Sequence, residues 1–143
     1  MSEMILSRVP ASYVDKLWER VEPFLKRAVD VSHGRYDMES LYNEVKSANQ
    51  QLWVIFRGED DLVCALTTQF MYYPLRVNLS VTFIGSDDDS ITPDDWVDLM
   101  EELMEWARLH ECSAIESVGR RAWARIFKKI GFEETFTTVE AEV

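Results

Sequence analysis

The spacing of hydrophobic residues changes along this chain, and this change restricts the possible folds more than any other feature. Between Val14 and Ala48, apolar side chains recur every three or four residues, which is typical of amphipathic helices. From Leu52 to Phe56 the chain is continuously apolar, and from Val77 to Phe83 apolar and polar residues alternate, which indicates strands. Helices packed on a sheet are therefore expected.

Two helices are predicted ahead of the main run of strands, after a short strand at residues 4–9. The first helix begins after Pro10, and Pro23 is expected to kink or divide it because proline cannot donate a helical hydrogen bond. The second begins at Asp37, whose side chain suits the N-cap position. Three tryptophans lie on apolar stripes or runs and are expected to be buried. They are Trp18, Trp53 and Trp96.

Three antiparallel strands follow, and helices then alternate with strands. The sequence Thr92-Pro93-Asp94-Asp95 predicts a helix start, since Thr92 can cap it and both acidic residues favour the positive end of the helix dipole. We then expect a strand at 114–118, a helix at 120–130 and a final strand at 136–143. The predicted fold class is α/β (α+β), with a mixed, mostly antiparallel sheet, helices on both faces and the order β-α-α-β-β-β-α-β-α-β.

The composition is that of a single folded domain, residues 1–143, with a strong negative charge. Fifteen Lys and Arg against 26 Asp and Glu give a net charge of -11, which opposes direct binding to nucleic acid or to an anionic membrane. Cys64 and Cys112 lie far apart, so no disulfide framework is expected. With no secretory signal and no apolar run of roughly 20 residues, a soluble protein of the cytoplasm is expected.

This order of elements, with Gly131-Phe132 near its end, resembles the GNAT N-acetyltransferase fold over nearly the whole chain. Three further features are similar to the C-terminal pattern of GNAT-like proteins encoded by tailed phages, a group that includes the internal virion protein family of T7-like podoviruses. These are Trp106-Ala107-Arg108, Cys112, and Gly119-Arg120 followed by Trp123. The resemblance implies acetyl-CoA as the cofactor of active members, and the host cytoplasm or the virion as the location.

The resemblance also shows where this chain departs from the enzymes. GNAT enzymes carry Gln/Arg-x-x-Gly-x-Gly/Ala before the long helix, so that backbone N–H groups can reach the pyrophosphate of the cofactor. The corresponding residues 85–95 contain five Asp, no basic residue and one glycine, Gly85. Carboxylates would therefore occupy the phosphate site, and we expect no cofactor.

The catalytic positions implied by the resemblance are also altered. Many GNAT enzymes place a proton-donating Tyr four residues before the glycine of the Gly-Phe pair, where this chain has Phe127. Arg120 stands where the family has Asn, and residues 78–86 contain no Asp, Glu or His to act as a base. If acetyl transfer survives, His33, in the loop between the first two helices, is the candidate base.

Charge is distributed unevenly in the second half of the chain. An acidic segment, residues 87–105, holds nine acidic residues and no basic one, whereas a basic segment, residues 117–132, holds five basic residues and no acidic one. Both segments are interpreted either as solvated surfaces or as docking surfaces for charged partners. The candidate partner-binding residues are Asp87, Asp88, Asp89, Arg120, Arg121, Arg125, Lys128 and Lys129.

No metal site is expected, because a calcium-binding loop starting at Asp87 would place Thr92 where a glycine is required. The sequence thus predicts a catalytically degenerate GNAT-like phage protein that binds a phage or host protein during virion assembly or host takeover. One alternative is an active acetyl-CoA-dependent N-acetyltransferase. Another is an acidic decoy that inhibits a nucleic-acid-binding host protein.

Overall fold

The computed structural model of this chain describes residues 3–87, 91–119 and 121–143, and leaves out the side chains of residues 121 and 122. The described residues form five strands, four α-helices and one 3-10 turn. They are β1 (Met4–Val9), a 3-10 turn (Ala11–Tyr13), α1 (Val14–Asp30), α2 (Met38–Lys46), β2 (Gln51–Arg57), β3 (Asp61–Tyr72), β4 (Val77–Ser86), α3 (Pro93–Leu109), β5 (Ala114–Ser117) and α4 (Arg121–Lys129).

The five strands form one sheet in the order β1-β2-β3-β4-β5. The pairs β1-β2, β2-β3 and β3-β4 are antiparallel, and β5 runs parallel to β4. A parallel neighbour requires a crossover connection, which α3 supplies. The predicted fold class, a mixed and mostly antiparallel sheet with helices on both faces, is confirmed.

The sheet separates two hydrophobic cores, which explains the continuously apolar sequence of β2. Leu52 and Val54 pack under α1 and α2, in one core with Leu25 and Leu41. Trp53 and Ile55 point to the opposite side, into the core formed with α3 and α4. Because both faces of β2 are covered by helices, neither face carries polar side chains in its centre.

The final strand predicted at residues 136–143 is wrong, because residues 132–143 contain neither strand nor helix. The alternating pattern there is local, whereas a strand needs a neighbouring edge to pair with. No residue of this segment pairs with the sheet among the described residues, and Phe136 and Val139 remain 90% and 91% exposed.

The expected division of the first helix at Pro23 is also wrong, since α1 runs unbroken from Val14 to Asp30. Proline leaves the carbonyl of the residue four positions earlier, Glu19, without its helical donor. Glu19 is exposed, so water can take that bond at little cost.

Gly85 in β4 determines how closely α1 approaches the sheet. A Cβ atom at this position would lie 1.9 Å from the carbonyl oxygen of Phe24, in the middle of α1. Only glycine therefore allows the backbone of α1 to rest directly on β4 at this point.

Two of the three tryptophans are buried as predicted, with Trp53 4% and Trp96 3% exposed. Trp18 is only half-buried, because it lies at the margin of α1 and makes an edge contact with Tyr42 of α2. Within the described residues, no helix combines the length and the hydropathy that a membrane span requires.

Candidate functional site

The two parallel strands β4 and β5 separate in the middle of the sheet. Their last paired residues are Val81 and Ser117, whereas β4 continues to Ser86 in contact with β3 on its other edge. At the same point β4 contains a bulge, because Thr68 faces Val81 and Thr67 faces Phe83, which leaves Thr82 as the extra residue. The separation leaves one edge of residues 82–86 unpaired by β5, on the stretch that leads toward the start of α3.

A chain of polar side chains meets β4 at this bulge. The Thr82 hydroxyl lies 2.6 Å from the side-chain oxygen of Gln50 and 2.7 Å from the hydroxyl of Thr67. Gln50, which is 1% exposed, in turn donates through its side-chain nitrogen to the Tyr36 hydroxyl at 3.3 Å. These contacts connect the loop between α1 and α2 to the centre of the sheet.

The Tyr36 hydroxyl is the one titratable group of this polar chain. Its partial burial, together with the nearby charge of Glu44, raises the pKa of Tyr36 above the ordinary value of 10.0. The ring packs edge-on against Phe83 of β4, with centroids 5.0 Å apart. Tyr36, Gln50 and Thr82 cannot be recognised as a group from the sequence, because residues so distant along the chain come together only in the folded sheet.

A second polar cluster surrounds Glu116, where β5 is still paired with β4. Its carboxylate accepts hydrogen bonds from the Tyr73 hydroxyl at 2.8 and 2.9 Å and from the Asn78 side chain at 2.9 Å. The bond to Glu116 raises the pKa of Tyr73. The parallel register places Glu116 opposite Ser80 of β4.

Glu116 supplies the carboxylate that the sequence of β4 lacks. Residues 78–86 contain no Asp, Glu or His that could act as a base, but β5 brings Glu116 alongside this strand. A carboxylate in this position can accept a proton or bind a cation. The sequence of β5 does indicate which side of the sheet Glu116 faces, because Ile115 alternates with Ala114 and Glu116. Ile115 packs on the α3 core, so Ala114 and Glu116 face the other side of the sheet.

The start of α3 is closed by its own side chains. The Thr92 hydroxyl accepts a hydrogen bond from the Asp95 N–H at 3.1 Å, and the Asp95 carboxylate accepts one from the Thr92 N–H at 3.0 Å. Pro93 has no N–H, and the N–H of Trp96 donates to the Thr92 carbonyl. Among the N–H groups of residues 92–96, only that of Asp94 has no hydrogen-bond partner within the described part of the chain.

A positive charge from α1 lies at the end of β4, although residues 85–95 themselves contain no basic residue. The guanidinium of Arg27, in α1, donates to the carbonyl of Ser86 at 3.0 Å. Asp87 follows on the surface, and its N–H donates to the carbonyl of Val63 in β3. Asp88 and Asp89 lie outside the described residues.

The other predicted site residues lie apart from the polar chain at Thr82. His33 is exposed in the turn after α1, where its φ of 57° is in the left-handed region. Phe127 is 4% exposed and packs against Phe132, with ring centroids 4.9 Å apart. Neither residue makes a hydrogen bond to Glu116 or Thr82 among the described residues.

The basic segment lies mostly on α4. Arg125, Lys128 and Lys129 are exposed there, and Lys128 forms an ion pair with Glu134 at 2.9 Å. Arg120 and the side chain of Arg121 lie outside the part of the chain that the structure describes.

Solved structures of similar fold include several acetyltransferases. A probable acetyltransferase is 12% identical in sequence, with 99% of this chain and 97% of that chain covered and a TM-score of 0.68. Aminoglycoside N-acetyltransferase AAC(6')-Iy in complex with CoA is 12% identical, with 100% and 96% covered and a TM-score of 0.71. An aminoglycoside acetyltransferase from an uncultured soil metagenomic sample is 11% identical, with 98% and 96% covered and a TM-score of 0.71.

No protein-family model and no curated protein matches this sequence. At identities this low, structural similarity establishes the architecture but not the chemistry. The coverage extends over nearly the full length of both chains. The chain therefore has a GNAT-like fold.

Proposed function

We propose that this chain is a catalytically degenerate GNAT-like protein that acts by binding another protein. Its setting would be a phage infection, in virion assembly or in the takeover of the host cell. The observation that carries the proposal is the capping box at the start of α3, formed by Thr92 and Asp95.

A pyrophosphate bound at a helix start needs free backbone N–H groups. In α3 the N–H groups of Thr92 and Asp95 each donate a hydrogen bond to the side chain of the other residue, and Pro93 has no N–H group. The remaining N–H belongs to Asp94, whose exposed carboxylate would repel a phosphate. This helix start is therefore stabilised by its own residues instead of being left open for an anion.

The packing around Phe127 supports the same conclusion. A GNAT proton donor must present a hydroxyl to the departing thiolate, but Phe127 has no exchangeable proton and is enclosed by Trp123 and Phe132. A residue packed in this way stabilises α4 on the sheet.

Binding through charged surfaces is consistent with the described part of both charged segments. Asp94, Asp98, Glu101, Glu102 and Glu105 are all exposed on α3. Arg125, Lys128 and Lys129 are exposed on α4. Charges of this kind increase association rates with a complementary partner more than they stabilise the fold.

An active acetyltransferase is the second candidate, and the separation of β4 from β5 favours it. The gap begins beside the polar chain of Thr82 and Gln50, and Glu116 offers a carboxylate nearby in β5. Two of the structural neighbours are named aminoglycoside acetyltransferases, whose fold this chain shares. In such an enzyme Glu116 would accept the proton of an amine.

An acetyl-transfer assay separates the two candidates. Release of free thiol from acetyl-CoA would be followed with polyamines and aminoglycosides as acceptors, with aminoglycoside N-acetyltransferase AAC(6')-Iy as the positive control. We expect no turnover above background. Turnover that is lost in Glu116→Gln and retained in His33→Ala would support the enzyme instead, and turnover raised by Phe127→Tyr would show that the general acid of such enzymes is missing at position 127.

A further inference from the structure

Strand β3 extends beyond its neighbour β2, so one edge of its last residues is unpaired. The pairing of the two strands ends at Thr68, whereas β3 continues to Tyr72. In the hairpin that follows, the N–H of Tyr73 donates to the carbonyl of Arg76 at 2.9 Å, so the backbone groups of Tyr73 point toward β4. Because successive residues of a strand direct their backbone groups to opposite edges, those of Phe70 and Tyr72 point away from β4. No described residue forms a backbone hydrogen bond with them on that side.

Phe70 also lines a cavity of about 350 Å³ beside this edge. One wall is aromatic, because the Phe70 and Trp106 rings stack with centroids 5.6 Å apart and the His110 ring lies 4.0 Å from that of Trp106. No acidic residue of the described part of the chain lines the cavity, although the chain has 26 Asp and Glu. The volume is at the small end of the range for ligand pockets.

The wall of this cavity holds two hydrogen-bond donors that are not used within the described residues. Arg8, in β1, is exposed and makes no ion pair or hydrogen bond there. The indole N–H of Trp53 donates to the Thr68 hydroxyl at 2.9 Å, and this hydroxyl donates to the side-chain oxygen of Gln51 at 2.8 Å. The side-chain nitrogen of Gln51 remains as a donor. A guanidinium and an amide nitrogen in a wall without carboxylates favour an anionic ligand.

The side chains that border the unpaired edge share one face of the sheet. Trp53 and Phe70 both pack in the α3 core, and Tyr72 follows Phe70 at the two-residue spacing of a strand. Arg8 is directly opposite Trp53 in the pairing of β1 with β2, so its side chain lies on the same face. The Tyr72 side chain is 76% exposed there. A strand added to this edge therefore places every second side chain beside aromatic rings.

We propose that the unpaired edge of β3 and this cavity bind the C-terminal end of an extended peptide from a partner protein, an inference that rests on the proposed function of binding another protein. The peptide adds to β3 as an antiparallel strand, through the backbone groups of Phe70 and Tyr72. It runs in the direction of β2, so its C-terminal end arrives beside Gln51. The carboxylate there accepts hydrogen bonds from Arg8 and Gln51, and an apolar last side chain packs against Phe70 and Trp106.

Fluorescence anisotropy with a labelled hexapeptide tests the carboxylate contact. The probe is Thr-Val-Thr-Val-Thr-Phe with a free carboxylate, whose apolar residues share one face of a strand, and it is compared with the same peptide ending in an amide. We expect a dissociation constant of about 100 μM or lower for the acid and binding about tenfold weaker for the amide. Arg8→Gln and Gln51→Glu should each weaken binding of the acid about tenfold without weakening that of the amide. Arg125→Gln, an exposed position on α4, should change neither.

Hydrogen exchange of single amides, followed by NMR on the full chain, tests the added strand. Bound acid peptide should slow exchange at Phe70 and Tyr72, whereas Met71, whose backbone groups point toward β4, should not change. Thermal unfolding without peptide should be the same for Arg8→Gln, Gln51→Glu and the natural protein. Arg8 has no partner to lose among the described residues, and the Thr68 hydroxyl can also donate to a carboxylate.

No saturable binding of the acid peptide up to about 1 mM would overturn the site, and so would equal binding of the acid and the amide. Slower exchange at Met71 but not at Phe70 and Tyr72 would also overturn it. The proposed function fails separately, by acetyl-CoA binding or turnover. A chain that binds neither acetyl-CoA nor the peptide would overturn this site alone, whereas a chain that binds the acid peptide and turns over acetyl-CoA would support the site and overturn the proposed function.

Discussion

Single residues decide both the geometry of this fold and the character of its candidate site. Gly85 allows α1 to rest on β4, and Thr92 with Asp95 closes the start of α3. The capping residues were predicted from sequence because capping depends on neighbours within one turn. The contact of Gly85 with Phe24 was not predicted, because nothing in the sequence near Gly85 shows that a distant helix lies against it.

The Gly85→Ala variant tests the close approach of α1. The new Cβ would meet the backbone oxygen of Phe24 at 1.9 Å, so the helix or the strand must shift. We expect the free energy of unfolding to fall by about 3 kcal/mol, at the upper end of the usual overpacking range. Gly119→Ala is the matched control, since no atom lies within 4 Å of its added Cβ, and its effect should be within about 0.5 kcal/mol of zero. Equal effects of the two changes in denaturant unfolding would contradict this account of α1.

At the scale of elements, prediction succeeds where the pattern is local and fails where a partner element decides the outcome. The start of α3 and the buried strand β2 lie where the sequence predicts them, since caps and apolar runs are properties of neighbouring residues. Residues 136–143 carry a strand pattern but form no strand, because no edge of their own sheet pairs with them. Likewise Glu116 is next to Ser80 only through the parallel pairing of β4 and β5, which the pattern of either strand alone does not reveal.

The start of α2 should make stability depend on pH in the acid range. The Asp37 side chain accepts a hydrogen bond from the Ser40 N–H. Hydrogen bonding to the backbone and the side chain of Ser40 lowers the pKa of Asp37 below the ordinary value of 3.8. A carboxyl whose pKa is lower in the folded protein contributes stability above the unfolded value, which is lost as the pH falls through the folded value. Asp37→Asn keeps a capping side chain without a titrating group. The loss of thermal stability below pH 4 should therefore be smaller in Asp37→Asn than in the natural protein, and an identical loss would contradict the role of Asp37.

At the scale of the whole molecule, the exposed surfaces of α3 and α4 differ in charge, although both helices cover the same core. The helices α3 and α4 share one apolar core through Trp96 and Trp123, whose rings meet edge-on at 5.5 Å. Their outer surfaces carry charges of opposite sign. The sequence alone predicted this distribution of charge, since exposed charged residues of a helix can be recognised from its apolar stripe.

Replacing Asp87, Asp88 and Asp89 together by Asn tests whether the acidic segment serves binding more than folding. Asp87 is exposed, and the three charges repel one another in sequence, so thermal stability should be unchanged or slightly higher. A lysine-rich peptide, used as a probe, should associate more slowly with the variant at low salt. Thr92→Ala is the contrasting variant, because loss of the N-cap should cost about 1 kcal/mol of stability. Unfolding of the triple Asn variant would show instead that these carboxylates are structural.

Calorimetry with acetyl-CoA tests the central claim most directly, because the claim is that the start of α3 no longer serves as an anion site. The natural protein should give no binding heat at physiological cofactor concentrations, whereas AAC(6')-Iy, which has been solved with CoA, should bind in the same assay. A dissociation constant of about 10 μM or lower, which corresponds to about -7 kcal/mol, would contradict the degenerate site and favour the acetyltransferase.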